Sequence, residues 1–380
     1  MTPRIWLSPP HTSGKELDFI QDAFAKNWIA PIGENVTGFE QDICSFLGKN
    51  IYATSTNTGT AALHLALIIL GVKRDDYVIC QDLTFVATVN PAVYLGATPV
   101  LVDSERETWN ISPELLETAI KDCLKKGKKP KAIVWVNLYG MPAKIDEIRQ
   151  IAQSYEIPLL EDAAESLGSK YKGDYCGTFG DIAMISFNGN KIITTSNGGV
   201  LLSKNKEFTD KARFLASQAR DDAPYYQHST VGYNYALSNI SAGIGRGQMM
   251  VLPQRVEQRR KNNQYYREHL ADVEGISFQT EPSADFYSNY WLTSIIVDAE
   301  KTNGITREDL RLALNEVNIE SRPLWKPMHL QPIFNDCPYY GDGTSDALFE
   351  NGLCLPSGSM LTEKELSRVV EIIRQKLKNN

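Results

Sequence analysis

The sequence predicts an α/β protein in which a large, mostly parallel sheet is covered by helices on both faces and is followed by a smaller C-terminal α+β domain. Three observations support this prediction. The chain has 380 residues, enough for one large and one smaller domain. Between about residues 50 and 203, short apolar strands alternate with amphipathic helices, as in βαβ units. After Gly232 the regular alternation stops.

The alternating region divides into predicted strands and helices. The strands are Tyr77–Cys80, Pro99–Val102, Ala132–Val136, Pro158–Leu160, Ile182–Phe187 and Val200–Leu202. The helices are Thr60–Leu70, Ala87–Leu95, Pro113–Cys123, Ile145–Tyr155 and Phe208–Ser217. Because ligands of parallel sheets bind at the carboxyl ends of the strands, residues that directly follow strands are the candidates for a functional site.

The C-terminal part has a different pattern. A helical stretch from Asn239 to about Leu270 contains Pro253, which should break or kink it. The later elements are strands within Gly275–Val297 and helices at Arg307–Asn315 and Thr362–Lys378. We place the boundary near Pro253, which gives a large domain of residues 1–252 and a small domain of residues 253–380.

Composition argues against several classes of function. The net charge of −7, with no basic stripe, argues against a nucleic-acid partner. The six cysteines form no C-x-x-C pair, so neither a metal site nor a disulfide framework is indicated. The N-terminus lacks the pattern of a signal peptide, and the apolar run Ala61–Val72 is too short to span a bilayer. We therefore expect a cytoplasmic protein without membrane contact.

A Gly-Thr pair, Gly59-Thr60, opens an apolar helix. The free N–H groups and the positive dipole of a helix N-terminus suit a phosphate. The alternative is an ordinary N-cap by Thr58 or Thr60, which the pair alone does not exclude.

Two strand ends carry further candidates. The strand before Glu161-Asp162 ends in acidic residues, and an aspartate there can pair with a protonated ring nitrogen. The alternative is a hydrated strand end. Phe85 follows another strand and could stack on a planar ligand, although Phe85 taken by itself favours an ordinary core position.

Lys191 has no charged neighbour in sequence between Asp181 and Lys204. A lysine that lies apart from other charges in a partly dry site can act as a nucleophile toward an aldehyde, whereas the alternative is a solvated surface lysine. A phosphate cradle, a stacking aromatic, an acidic partner and this lysine together match the groups of pyridoxal 5'-phosphate. The combination therefore indicates that cofactor.

The sequence also resembles the DegT/DnrJ/StrS sugar aminotransferases, a branch of the fold-type I, aspartate-aminotransferase-like pyridoxal-phosphate enzymes. The resemblance covers nearly the whole chain. The matching segments are Asn27–Gly33, Thr58–Thr60, Val136–Gly140, Glu161–Ser166, Ser186–Phe187 with Lys191, Gly232–Tyr235, Arg322–Leu324, Pro327–His329 and Leu355–Ser357.

The resemblance implies a role for each matching residue. Lys191 is implied to bind the cofactor covalently and to carry the proton, Asp162 to pair with the pyridine nitrogen, and Glu165 to lie near the ring hydroxyl. Phe85 is implied to stack on the ring. The phosphate is implied to contact Gly59, Thr60, Ser186 and Asn234, the last from the neighbouring subunit of a homodimer with shared active sites. The implied sugar-pocket residues are Asn188 and His329.

The implied reaction is transfer of an amino group from L-glutamate to a nucleotide-linked keto sugar. The sequence from Asn188 to Thr195 is similar to the corresponding segment of enzymes that aminate C4 of UDP-linked 4-keto-6-deoxy-N-acetylhexosamines. Asn197 departs from the glutamate common in the family, which leaves the substrate open. The alternatives are a dTDP-linked keto sugar, an aminoshikimate-type dehydrating synthase of the same fold, and a binding or regulatory protein that retains the cofactor site.

Overall fold

The computed structural model describes residues 3–48 and 50–378. The helices are α1 (Glu16–Ala25), α2 (Glu34–Leu47), α3 (Gly59–Ile69), α4 (Asn90–Tyr94), α5 (Pro113–Lys125), α6 (Ile145–Ser154), α7 (Lys206–Ala216), α8 (Asn239–Met249), α9 (Leu252–His269), α10 (Arg307–Glu316), α11 (Thr344–Asn351) and α12 (Glu363–Lys378). Short 3-10 turns lie at Val86–Thr88, Leu138–Gly140, Met328–Leu330 and Pro332–Phe334.

The strands form three sheets. They are β1 (Tyr52–Thr56), β2 (Tyr77–Gln81), β3 (Thr98–Val102), β4 (Ala132–Val136), β5 (Leu159–Asp162), β6 (Lys170–Tyr171), β7 (Asp174–Tyr175), β8 (Ile182–Ser186), β9 (Gly199–Ser203), β10 (Ile276–Phe278), β11 (Phe286–Tyr287), β12 (Thr293–Val297), β13 (Arg322–Pro323), β14 (Tyr339–Tyr340) and β15 (Gly352–Leu355).

Within the described residues, the central sheet has eight strands in the order β1-β9-β8-β5-β4-β2-β3-β14. Strand β9 runs antiparallel to both of its neighbours, and every other pair is parallel. Apolar side chains cover both faces, in one cluster around α3 and another around α5 and α6. The predicted α/β class with a mostly parallel sheet is confirmed.

The sheet topology brings the candidate site residues to one edge. Strands β8, β5, β4 and β2 are consecutive and parallel, so their carboxyl ends lie side by side. Thr56 of β1 and Ser186 of β8 both pair with Gly199 of β9. The start of α3, directly after β1, therefore lies next to the end of β8.

The C-terminal elements build a second sheet in the order β10-β12-β15-β13. Its core includes side chains from α9, α10 and α12. The helical stretch around Pro253 is two helices, and the proline occupies the first turn of α9, where its missing N–H costs no hydrogen bond. Strand β11 lies within the predicted strand region Gly275–Val297. It does not join the second sheet but pairs with β6 in a separate small sheet.

Contacts between core clusters and between strands cross the predicted division at residues 252 and 253. Ile5, near the N-terminus, packs in the C-terminal core and bridges to Ile319. Strand β14 adds to the edge of the large sheet beside β3. The boundary stays a prediction, because an N-terminal segment packs in the C-terminal core and a C-terminal strand joins the large sheet. No helix in the described part of the chain is long and apolar enough to cross a membrane.

Candidate active site

A cavity of about 840 Å³ opens at the carboxyl edge of the central sheet. Most of the residues predicted for the site line it. They are Gly59, Thr60, Phe85, Asp162, Glu165, Ser186, Asn188 and Lys191. The structure therefore brings together groups that the sequence places on separate loops and strand ends.

Lys191 lies in a turn after β8, where its backbone N–H donates to Asn188 O at 3.0 Å. Its ammonium lies 3.4 Å from Glu165 Oε1 and 4.1 Å from the centre of the Trp291 ring. Here the structure differs from the sequence expectation. Lys191 is isolated from charge only along the chain, because folding places a carboxylate beside it.

Glu165 is 3% exposed, and its Oε2 accepts a hydrogen bond from Tyr139 N at 2.7 Å. Burial raises the pKa of the Glu165 carboxyl to about 7, although Lys191 acts in the opposite direction. Near neutral pH the Glu165 carboxyl can therefore bind or release a proton.

Asp162 closes β5 and is buried. Its Oδ2 accepts from Thr88 Oγ1 at 2.7 Å, and its Oδ1 accepts from Ala164 N at 3.0 Å. Burial raises the pKa of Asp162, while these two donors and the Lys191 charge work against that shift. The hydrogen bonds hold the carboxylate in one orientation at the edge of the cavity.

The first turn of α3 forms another part of the cavity wall. Thr58 caps the helix by accepting from Ala61 N at 2.9 Å, and Gly59 and Thr60 supply the first N–H groups. A Cβ atom at Gly59 would lie 3.1 Å from the Cβ of Ser186, so glycine allows the helix to start this close to β8. Both interpretations of the Gly-Thr pair, N-cap and anion cradle, are compatible with this turn.

The residues present fit pyridoxal 5'-phosphate. Two buried carboxylates, on Asp162 and Glu165, face a single ammonium, on Lys191. A protonated ring nitrogen would supply the second positive charge, and the N-terminus of α3 with the Ser186 hydroxyl would receive a phosphate. The lining thus offers a complementary group for the aldehyde, the ring nitrogen and the phosphate.

Aromatic side chains form much of the remaining wall. Phe85 is 52% exposed, and its ring lies 5.6 Å from that of Trp325. It therefore presents a face toward the cavity and is not a core residue. Asn188 is exposed at the cavity rim, where its amide donates to Asn190 Oδ1 at 3.2 Å.

Two predicted residues lie outside the cavity lining. Asn234 is exposed, and its carbonyl accepts from Asn57 Nδ2 at 3.2 Å in the loop before α3. His329 is not among the residues that line this cavity, and its role toward a sugar stays a prediction. Its Nδ1 lies 2.7 Å from Asp82 Oδ2 and its Nε2 lies 3.1 Å from Asp346 Oδ1, so both nitrogens face carboxylates.

Sequence reasoning missed several groups that line the cavity, among them Ser8, Thr88, Trp291 and Trp325. Thr88 stands in the same segment as Phe85, and a hydroxyl one helical turn beyond Thr84 could have indicated a polar contact. Neither tryptophan follows a predicted parallel strand, and the N-terminal Ser8 precedes the alternating region. No local pattern indicated those three.

Comparison with known proteins decides the family. The sequence profile of the DegT/DnrJ/EryC1/StrS aminotransferase family matches residues 10–374. The chain belongs to this family. EpsN of Bacillus subtilis (strain 168), whose name carries a provisional assignment as a pyridoxal phosphate-dependent aminotransferase, is 49% identical over 98% of this chain and 96% of its own. The GDP-perosamine synthase of Escherichia coli O157:H7 is 35% identical, over 96% of both chains.

A solved structure agrees with this assignment. The pyridoxamine phosphate form of Spr1654 from Streptococcus pneumoniae, provisionally named a sugar aminotransferase, superposes with a TM-score of 0.89 at 25% identity, over 99% of this chain and 98% of that one. This member of the DegT family is therefore a pyridoxal-phosphate-dependent aminotransferase of fold-type I. The resemblance inferred from the motifs, the cofactor and the enzyme class are confirmed.

Proposed function

We propose that this enzyme transfers an amino group from L-glutamate to the keto carbon of a nucleotide-linked 4-keto-6-deoxy sugar, with a UDP-linked N-acetylhexosamine as the first candidate. The observation that carries the proposal is the convergence of Lys191, Glu165 and Asp162 in one cavity of about 840 Å³. That volume is at the upper end of ligand pockets and leaves room for a sugar beside a cofactor.

The chemistry divides between the cofactor and the chain. The bound cofactor supplies an electron-accepting ring. Lys191 would anchor it covalently and, once released, take the proton from the carbon that bears the amino group. Asp162, held by Thr88, would keep the ring nitrogen protonated. Glu165, beside the lysine and with a raised pKa, would lie near the ring hydroxyl and accept or return a proton near neutral pH.

The remaining lining suits a sugar nucleotide. The side-chain amides of Asn188, Asn190 and Asn197 line the cavity and can hydrogen-bond to sugar hydroxyl and acetamido groups. Arg322, whose side chain is 70% exposed, stands at the rim, where a guanidinium can bind a diphosphate or a carboxylate. Its two hydrogen bonds to Glu320 Oε1 hold it in place.

The nucleotide is an open choice within this proposal. The sequence around Lys191, from Asn188 to Thr195, favours a UDP-linked sugar. Two relatives that are 35% and 33% identical to this chain are named GDP-perosamine synthases. A GDP-linked sugar is therefore the second candidate, and a dTDP-linked sugar the third.

We further propose a homodimer with shared active sites. Trp28, Ile29 and Ile32 expose large apolar side chains in one segment, an arrangement that favours a protein partner. Asn234 lies against the loop before α3 yet outside the cavity lining of its own protomer. A phosphate contact by its side chain would therefore be made across a subunit interface.

The proposal is tested by mass spectrometry of products formed from UDP-, GDP- and dTDP-linked 4-keto sugars with L-glutamate. We expect an aminated nucleotide sugar and 2-oxoglutarate in equal amounts from the UDP-linked compound. A dehydrated product would support the aminoshikimate-type alternative, and conversion of no sugar, with no glutamate-driven change of the cofactor spectrum, would support a binding protein. Either result would overturn the proposal.

A further inference from the structure

Hydrogen bonds connect the N-terminal segment, helix α9 and the turn that carries Lys191. Arg259 on α9 is 1% exposed. Its Nη2 donates to Ser8 Oγ at 2.9 Å, and its Nη1 donates to the carbonyl oxygen of Trp291. One buried guanidinium therefore holds two residues of the cavity wall that are far apart in sequence.

Both of these residues converge on the carbonyl of Asn190. Ser8 Oγ donates to Asn190 O at 2.6 Å, and Trp291 Nε1 donates to the same oxygen at 2.8 Å. Asn190 directly precedes Lys191, so the two donors hold the peptide group that leads into the lysine. They fix the backbone end of the Lys191 side chain.

The ammonium end of the Lys191 side chain lies against Trp291. Its ammonium lies 4.1 Å from the centre of the Trp291 ring, a cation–π distance. The backbone N–H of Trp291 donates to Asn289 Oδ1 at 2.8 Å, so the tryptophan is held through its N–H and its carbonyl as well as its indole nitrogen. Trp291 therefore limits where the amine can lie.

Burying the Arg259 guanidinium without a carboxylate partner lowers the stability of the folded protein. Among the described residues, no carboxylate forms a salt bridge with Arg259, and its Nε has no hydrogen-bond partner. Burial lowers the pKa of Arg259 to about 9. An unpaired buried cation is destabilising, but a charged donor polarises the hydroxyl that it binds and strengthens the next hydrogen bond in the chain. Here that next bond is the one from Ser8 to Asn190.

We propose that Arg259, Ser8 and Trp291 form a brace that positions Lys191 for proton transfer. The proposal rests on the proposed role of Lys191 and assigns these three as positioning residues. Misplacement of a reacting group by about 1 Å can lower a rate by about a hundredfold, so a brace that holds both ends of one side chain has a measurable effect.

The test uses the holoenzyme and two variants that each remove one donor to Asn190 O, Ser8→Ala and Trp291→Phe. The first measurement is the pH titration of the absorbance band of the lysine-bound cofactor. The second is the single-turnover rate of conversion to the pyridoxamine form by L-glutamate. We expect a shifted titration midpoint and a rate lowered about tenfold to a hundredfold in each variant. Neither variant removes a buried charge, so both should fold.

Arg255→Lys is the matched control. Arg255 lies one turn before Arg259 on α9 and donates to Thr12 O in the same N-terminal segment, but it has no hydrogen bond to Ser8, Asn190 or Trp291 in the described structure. It should keep both wild-type values. Wild-type values in Ser8→Ala and Trp291→Phe, or equal losses in Arg255→Lys, would overturn the brace. Persistence of the band in Lys191→Ala would instead refute the role of Lys191 on which the brace rests.

Discussion

The Lys191 ammonium and the Glu165 carboxylate lie 3.4 Å apart, and both side chains are nearly inaccessible to solvent. The pair lies in a cavity that also contains Asp162, whose charge raises the pKa of Glu165 further after burial has raised it. The site thus holds one negative charge more than it can balance with its own groups when both carboxyls are ionised. That excess suits a cationic cofactor ring.

Replacing Lys191 should abolish amino transfer. We expect Lys191→Ala and Lys191→Arg each to lower turnover by about a thousandfold or more, because the nucleophile and the proton carrier are lost together. Turnover is measured as 2-oxoglutarate released. Lys204→Ala, at an exposed position after β9, is the control and should remain active. Near-normal turnover in either Lys191 variant would remove this residue from its role.

The raised pKa of Glu165 predicts a pH-dependent stability of the cofactor-free protein. Between the unfolded pKa near 4.5 and the folded pKa of about 7, the unfolded chain binds fewer protons at this group, so stability falls as pH rises. The Glu165→Gln protein should not show this loss of folding stability with rising pH. Its melting temperature should be a few degrees higher than that of wild type near pH 8.

Thermal melting at about pH 5 to 8 measures the difference. Glu147→Gln, at an exposed carboxylate on α6, should follow the wild-type curve. A Glu165→Gln protein with the same pH dependence as wild type would show that the carboxyl ionises normally in the fold.

Thr88→Val removes the hydroxyl that donates to Asp162 Oδ2 at 2.7 Å and keeps the side-chain shape. A hydrogen bond to a charged group contributes about 1.5–3 kcal/mol. We expect cofactor affinity to fall about tenfold, because Asp162 would hold the ring nitrogen less firmly. Cofactor titration followed by fluorescence gives the dissociation constant. Thr118→Val, an exposed threonine on α5, should change nothing, and an unchanged affinity in Thr88→Val would argue against a pairing role for Asp162.

Arg322→Ala tests the anion site at the rim. Because the guanidinium would contact a diphosphate or carboxylate away from the reacting carbon, its loss should raise KM for one substrate about tenfold and leave kcat nearly unchanged. Steady-state kinetics with each substrate varied in turn shows which one it binds. Lys326→Ala, a nearby exposed cation, is the control. Unchanged KM values for both substrates would exclude Arg322 from binding.

His329 gives a test between structural and substrate-binding roles. Its ring stacks on Tyr339 at 3.9 Å and faces the buried Asp82 on one side and Asp346 on the other. Burial alone would lower the pKa of His329, but Asp82 and the other carboxylates raise it overall. We expect His329→Gln to lower the melting temperature, with the largest difference from wild type below about pH 6.5 and a smaller one as pH rises through the folded pKa.

Turnover of the folded His329→Gln protein should stay within about twofold of wild type. A raised KM for the sugar at unchanged stability would instead support the sugar-pocket role that the sequence resemblance implies. Asn351→Gln, at a half-buried position at the end of α11, is a control for the helix that carries Asp346.

Much of the fold followed from local pattern. Strand β4 lies at Ala132–Val136, as predicted, and the other predicted parallel strands agree within two residues at each end. Strand β1 was missed because Tyr52–Thr56 consists mainly of alanine, threonine and serine, without an apolar run or a clear alternation. Its burial depends on pairing with β9, which no local pattern shows.

The sequence by itself determined the α/β class, the cofactor and the residues at the strand ends, since the period of apolar residues and the order of motifs are local properties. Only the tertiary structure decided the surroundings of Lys191. Glu165 reaches it from 26 residues away, and Ser8 lies 182 residues before the carbonyl that it binds. The lysine without charged neighbours in the chain has a carboxylate beside it in the fold, because contacts across the sheet edge depend on strand order and not on sequence distance.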